Sequence, residues 1–131
     1  MHEKAAGYAL AARHGIGMIL PNAENLIVER EKIVDYLLNT GHRLGASKAR
    51  FFLQFGFRLD NWNEMAEALR EHGQTHLVTA TTDTPFGPRY AVDGELNTPS
   101  GQRPRIRTVW QFDNGEIAPR LITAHPLEAN S

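Results

Sequence analysis

Arg105-Ile106-Arg107-Thr108-Val109-Trp110-Gln111-Phe112, followed at once by Asp113-Asn114-Gly115, decides the fold of this chain. Side chains alternate between the two faces of an extended segment. Ile106, Thr108, Trp110 and Phe112 therefore share one side, the core side, and Arg105, Arg107, Val109 and Gln111 share the other. Asn-Gly after such a run is a strong signal for a type I′ hairpin. Residues 121–124 supply the return strand, with Pro119 marking a bulge or an edge just before it. In a regular hairpin Asp113 pairs with Glu116, Val109 falls opposite Arg120 and Arg107 opposite Ile122, so Arg105, Arg107 and Arg120 gather on the face away from the core. A bulge at Pro119 would shift that pairing and could turn Arg120 and Ile122 to the other face.

Working back from this hairpin, residues 75–82 are rich in β-branched side chains and read as a strand, and residues 89–92 as a second, shorter one. Pro85-Phe86-Gly87-Pro88 between them makes another hairpin, and residues 97–101 form a loop. Before Gly73 the period is helical. One helix fits 29–39, with Ile33, Val34, Leu37 and Leu38 on one face and Gly41 as its stop. A second fits 47–55, with Ser47 as N-cap, Lys48 in the first turn, Phe51, Phe52 and Phe55 buried and Gly56 in the C′ position. A third is capped by Asp60 or Asn61, carries Trp62, Met65, Ala66 and Leu69 as its apolar stripe and stops at Gly73. Residues 3–14 are Ala-rich and helical in pattern, ended by Gly15 and Gly17, so 1–17 reads as an appendage to a single domain over 18–131. Helices first and strands second define an α+β domain, in which N-terminal helices pack on an antiparallel sheet of about four strands.

At 131 residues the chain has the length of one domain with one core. Its 41% hydrophobic and 22% charged residues are those of a globular protein, and no apolar run approaches the ~20 residues of a membrane helix. Glu3 among alanines does not read as a secretory signal, and no membrane partner is expected. The absence of cysteine excludes disulfides and thiolate metal sites. The net charge is −1, but its distribution is uneven. Arg43, Lys48, Arg50 and Arg58 fall within 41–58, and Arg103, Arg105 and Arg107 within 103–107, in both cases without an acid between them. The acids collect at Glu24, Glu29, Glu31 and Asp35 and again at Glu64, Glu67 and Glu71. Segregation of this kind can present a local phosphate-binding face on a neutral protein, and it is equally the pattern of solvated helix faces.

The basic segment Gly41-His42-Arg43-Leu44-Gly45-Ala46-Ser47-Lys48-Ala49-Arg50-Phe51-Phe52 places a histidine and three cations around a helix start. Helix N-termini favour anions, and a lysine in a first turn is explained by an anionic partner such as phosphate or by plain solvation. Arginines on an open sheet face could clamp phosphate oxygens through forked donors or serve only to keep that face soluble. Other chemistries lack their motifs: there is no phosphate-cradling glycine loop, nucleophile elbow or Asp-rich cation loop. Among the six histidines, His72 and His76 flank Gly73 across a helix end and read as surface residues, and His2 and His14 receive no role. His42 and His125 remain as the chemically interesting pair. No metal site and no cofactor are expected.

Several phrases resemble a family of small bacterial domains of uncharacterised function associated with toxin systems. They are Leu20-Pro21-Asn22-Ala23-Glu24-Asn25, Asp35-Tyr36-Leu37-Leu38-Asn39 leading to His42, Gly45-Ala46-Ser47-Lys48-Ala49-Arg50-Phe51-Phe52, Arg105-Ile106-Arg107-Thr108-Val109-Trp110, and Pro119-Arg120-Leu121-Ile122-Thr123-Ala124-His125-Pro126. The chain is further similar to the barnase–EndoU–colicin–RelE (BECR) group of metal-independent RNase toxins, which put helices before an antiparallel sheet and cut RNA on its open face. His125 stands where that pattern leads one to expect tyrosine. The resemblance implies a metal-independent endoribonuclease toxin acting in the cytoplasm, with RNA and a cognate antitoxin or immunity protein as partners. Cleavage would proceed by 2′-hydroxyl attack to a 2′,3′-cyclic phosphate. It needs a base, cations for the phosphorane and an acid for the leaving 5′-oxygen. His42 could be the base, Lys48, Arg105 and Arg107 the phosphate ligands, and Thr123 or His125 the leaving-group partner, with Arg43, Arg50 and Arg120 as further RNA contacts; the individual roles are exchangeable. The alternative is a non-catalytic module that binds nucleic acid or protein in a toxin–antitoxin or immunity system.

Overall fold

The computed structural model describes residues 15–128, so the helical pattern at 3–14, with His2 and His14, lies outside the described residues. The chain forms a helical layer followed by one four-stranded antiparallel sheet in the order β1-β2-β3-β4. Helix α1 spans 30–37; its first turn, Arg30–Lys32, is α-helical and its remainder, Ile33–Leu37, is a π turn closed by the Leu38 N–H donating to the Ile33 carbonyl at 2.8 Å. Helix α2 is Ala46–Gln54 and α3 is Trp62–Thr75. The strands are β1 (Val78–Thr84), β2 (Gly87–Glu95), β3 (Arg105–Gln111) and β4 (Arg120–Pro126). Helices before a four-stranded antiparallel sheet are the architecture expected from the sequence; the order makes the sheet a meander.

Ile33 and Leu37 of α1, Phe52 of α2 and Met65 and Leu69 of α3 are buried against Val92, Ile106, Trp110 and Leu121 of the sheet. The alternation read in β3 holds, since Ile106, Thr108 and Trp110 are fully buried. Phe112, beyond the strand end, is only half-buried, as are Phe51 and Phe55, which pack ring to ring at 5.0 Å on the flank of α2.

Four local readings change. The N-cap of α2 is Gly45 and not Ser47, so Lys48 stays in the first turn while Ser47 lies inside the helix. Gly73 does not stop α3; it lies within the helix, where an added Cβ would stand 2.8 Å from Leu26, 2.9 Å from Trp110 and 3.2 Å from Leu20. It is a glycine of close packing, and β1 accordingly begins at Val78. His72, expected at the surface, is buried between α3 and the sheet. Its Nε2–H donates to the Gly94 carbonyl (3.1 Å), its Nδ1 accepts from the Thr108 hydroxyl (3.0 Å), and that oxygen accepts from Trp110 Nε1–H (2.8 Å). Finally, the β3–β4 connection is not a type I′ turn. Only Gly115 has positive φ (85°), and the Asn114 N–H is committed to the Phe86 carbonyl of the other hairpin at 2.7 Å.

The register of β4 also departs from the regular hairpin. Gln111 faces Arg120, Val109 faces Thr123 and Arg107 faces His125. The pairing shifts between Trp110–Leu121 and Val109–Thr123, so Ile122 is an extra residue in the strand and the bulge lies three positions beyond Pro119. Arg105, Arg107 and Arg120 nevertheless keep the face away from the core. The β4 edge is covered at its start, where Ile27 N–H donates to the Pro119 carbonyl (3.0 Å) and Leu121 N–H to the Ile27 carbonyl (2.9 Å). At the other edge Gly17 N–H donates to the Val78 carbonyl (2.9 Å).

Candidate functional site

Where α1 and the start of α2 meet β4, a cleft of about 500 Å³ is lined by Lys32, Asp35, Tyr36, His42, Leu44, Ile122 and Thr123. Its centre is Tyr36. The π turn carries this side chain over the sheet edge, and its hydroxyl lies 3.1 Å from Thr123 Oγ1. The bulge at Ile122 sets Thr123 opposite Val109, where its hydroxyl meets that of Tyr36. Gly45 makes room for the ring, since a Cβ there would stand 2.7 Å from Tyr36 Cδ1. The ammonium groups of Lys32 and Lys48 stand 5.4 and 5.6 Å from the Tyr36 ring centroid, and the His42 ring meets its edge at 4.9 Å. Among the described residues neither lysine has a carboxylate within ion-pair distance.

Burial raises the Tyr36 phenol, but the hydrogen bond with Thr123 and the ammonium groups of Lys48 and Lys32 outweigh it, so the group lies below the ordinary tyrosine value. His42 is fixed differently. Its Nδ1 accepts from the backbone N–H groups of Leu44 and Gly45, both at 3.0 Å. The neutral ring must therefore carry its hydrogen on Nε2, which makes His42 a hydrogen-bond donor and leaves it no free lone pair with which to abstract a proton. The imidazole also takes up two N–H groups at the start of α2 that an anion would otherwise meet.

His42, Lys48 and Thr123 are thus brought together. Tyr36 and Lys32 were missed by the sequence reading, because both sit on α1 outside the apolar stripe; the available signal was a tyrosine and a lysine on the turns just before His42. The arginines are placed apart from the cleft lining. Arg107 forms a two-pronged pair with Asp93 of β2 (2.7 and 2.9 Å), which holds the Asp93 carboxyl below its usual range and the guanidinium above its own. Arg120 pairs with Asp113 at 2.7 Å, and Arg103 stands 3.5 Å from Glu95, the residue opposite Arg105. The arginine face of the sheet is therefore largely neutralised by its own carboxylates. Arg43, Arg50 and Arg105 are exposed, and His125, half-buried, lies one same-face position beyond Thr123 and opposite Arg107.

A second groove, of about 400 Å³, runs between α3 and residues 97–99. Glu64, Glu67 and Glu71 line it, so it repels phosphate. Among the described residues no group of three or more His, Cys, Asp or Glu is placed to hold a metal ion, and no helix is long and apolar enough to cross a membrane.

A family described as a domain of unknown function, DUF6883, matches residues 19–128. No curated protein matches the sequence. Among solved structures, a chain of the contact-dependent growth inhibition toxin–immunity protein complex from Klebsiella pneumoniae 342 matches with a TM-score of 0.63 at 17% identity, covering 82% of this chain and 97% of that one. At that identity the likeness is one of fold.

Proposed function

The chain belongs to the DUF6883 family, and from its cleft we propose that it is a toxin domain that cuts RNA without a metal ion. One observation carries the reading: two lysines with no carboxylate partner among the described residues, a histidine fixed as a donor and a threonine on a strand bulge gather around Tyr36 at a single cleft. Lys48 and Lys32 are placed to bind a phosphodiester and to stabilise the charge that builds on a phosphorane. His42 Nε2–H adds a neutral donor. RNA supplies its own nucleophile, the 2′-hydroxyl, which explains how so sparse a site could suffice; the product would be a 2′,3′-cyclic phosphate. Arg107 and His125 lie on the same face past Thr123, but Arg107 stays paired with Asp93, so the lysines carry the phosphate contact.

The fold shared with a chain of a toxin–immunity protein complex supports the toxin reading and an immunity protein as partner. An acidic inhibitor seated over the lysines would block the cleft by charge and by shape. The site of action would be the cytoplasm, where RNA is available.

Expression of the intact chain in bacteria should arrest growth. The purified protein should cleave RNA in excess EDTA to products ending in cyclic phosphate. Lys48→Ala should lower cleavage by about 10²–10³-fold with an unchanged thermal midpoint. A protein that binds RNA but never cuts it would establish the alternative, a binding module. Activity lost in EDTA and restored by one metal would overturn metal independence.

A further inference from the structure

We infer that the Tyr36 hydroxyl is the general acid of the cleft, giving its proton to the leaving 5′-oxygen of an RNA phosphodiester. The inference rests on the ribonuclease reading above and assigns the step that reading leaves open. Besides Thr123, four side chains around the cleft carry a proton that a bound phosphodiester would meet: His42, Lys32, Lys48 and Tyr36. His42 cannot release one usefully, because its Nδ1 is held by the Leu44 and Gly45 N–H groups and loss of the Nε2 hydrogen would leave an imidazolate. Lys32 and Lys48 serve the phosphate as cations, and giving up a proton would remove the charge that stabilises the transition state. Tyr36 has the opposite balance. Its phenolate would form beside two ammonium groups, at ring-centroid distances of 5.4 and 5.6 Å, which stabilise the charge as it appears.

Thr123 completes the device. Its hydroxyl lies 3.1 Å from Tyr36 Oη, and either oxygen can be the donor. Thr123 can accept from the phenol at rest and, once the phenol has turned its proton to substrate, donate to the phenolate. The packing of the ring over Gly45 and against the His42 edge holds the hydroxyl in place. The lowered phenol pKa, in which the Thr123 bond and the lysine charges exceed the effect of burial, agrees with this geometry.

In the step itself the P–O2′ bond forms and the P–O5′ bond breaks. The 2′-hydroxyl proton passes to water, the Tyr36 proton passes to O5′, and the products are a 2′,3′-cyclic phosphate and a free 5′-hydroxyl. The phenolate then regains a proton from water.

The test uses two RNA oligonucleotides, one normal and one with sulfur in place of the bridging 5′-oxygen at a single linkage. A thiolate leaves without protonation. Tyr36→Phe should cleave the normal RNA at least about 10²-fold more slowly than the unchanged protein, and the sulfur-bridged RNA within a few-fold of it. Retained cleavage of the normal RNA, or equal loss on both substrates, would overturn the assignment while leaving the ribonuclease reading intact. An unchanged protein that cleaves neither substrate would overturn both. Should Tyr36→Phe fail to fold, site-specific replacement of Tyr36 by a fluorinated tyrosine keeps the ring and hydroxyl and lowers the phenol pKa. The alkaline limb of the rate profile should then move to lower pH, and a limb that stays in place refutes the acid role.

Discussion

His72 and His42 sit in one domain and have been given opposite work by the atoms around them. Both neutral rings carry the hydrogen on Nε2, but His72 spends both nitrogens inside the core, on Gly94 and Thr108, while His42 keeps its Nε2–H for the cleft. Burial, reinforced by the neighbouring His76, drops His72 from the usual 6.5 to about 4. The sign follows from linkage. Above pH 6.5 the ring is neutral in both folded and unfolded chains and costs nothing; between 6.5 and about 4 only the unfolded chain takes up the proton, so stability falls with pH across that window. The loss amounts to about 3 kcal/mol by pH 4. Asp93, depressed by Arg107, adds its own loss only below its ordinary 3.8, so the two effects separate. Urea unfolding between pH 7 and 4 should show the decline, and His72→Gln, less stable at pH 7, should lack this part of the slope. A parallel slope in the variant would contradict the assignment. Nothing in the sequence marked His72 as internal, because Gly73 read as a helix stop and placed its neighbour at a surface.

At the scale of elements, the period change at the α3–β1 junction, the core face of β3 and the two hairpins were legible, because apolar alternation, helical spacing and turn residues leave direct prints; how the hairpins join was not. The cleft was not, because it depends on two irregularities that leave no periodic signal: the π turn Ile33–Leu37 and the extra residue Ile122 in β4. One turns Tyr36 over the sheet edge, and the other sets Thr123 to receive it. Such insertions recur at functional sites, where they re-aim a side chain at the expense of regular hydrogen bonding. The segment between them, 41–45, was read as a helix entry that either meets an anion or is simply solvated; in the structure it holds His42 and leaves a gap for Tyr36. That gap makes Gly45 a sharp probe. Its φ is −110°, so the backbone tolerates any residue and only the space is demanding. Gly45→Ala puts a methyl group 2.7–2.8 Å from two Tyr36 ring atoms, so the ring must move. The variant should fold, lose about 1–3 kcal/mol from overpacking, and lose cleavage far beyond what its stability explains. A crystal structure of Gly45→Ala with the 3.1 Å Tyr36–Thr123 contact intact would sink this account of the loop.

For the whole molecule, a net charge of −1 means that no global field draws RNA in, and the segregated cations must work locally. The sequence showed two basic segments of similar strength; the fold distinguishes them. On the sheet, Arg107 and Arg120 are answered by Asp93 and Asp113, and Arg103 approaches Glu95, whereas Lys32 and Lys48, beside the Tyr36 ring, meet no carboxylate among the described residues. The difference is measurable as counterion release. Each phosphate neutralised on a single strand contributes about −0.7 to the slope of log K against log salt. Two lysines alone give a slope of about −1.4, and recruitment of Arg105, Arg107 and Arg120 would steepen it to about −3.5. Binding of a non-cleavable 2′-deoxy or 2′-methoxy oligonucleotide, titrated from low to moderate salt, should give the shallow value, and Lys48→Gln should reduce it by about 0.7. A slope near the steep limit would mean that RNA displaces the carboxylates from the arginine face. The reacting phosphate would then have to be sought along β3, away from Tyr36.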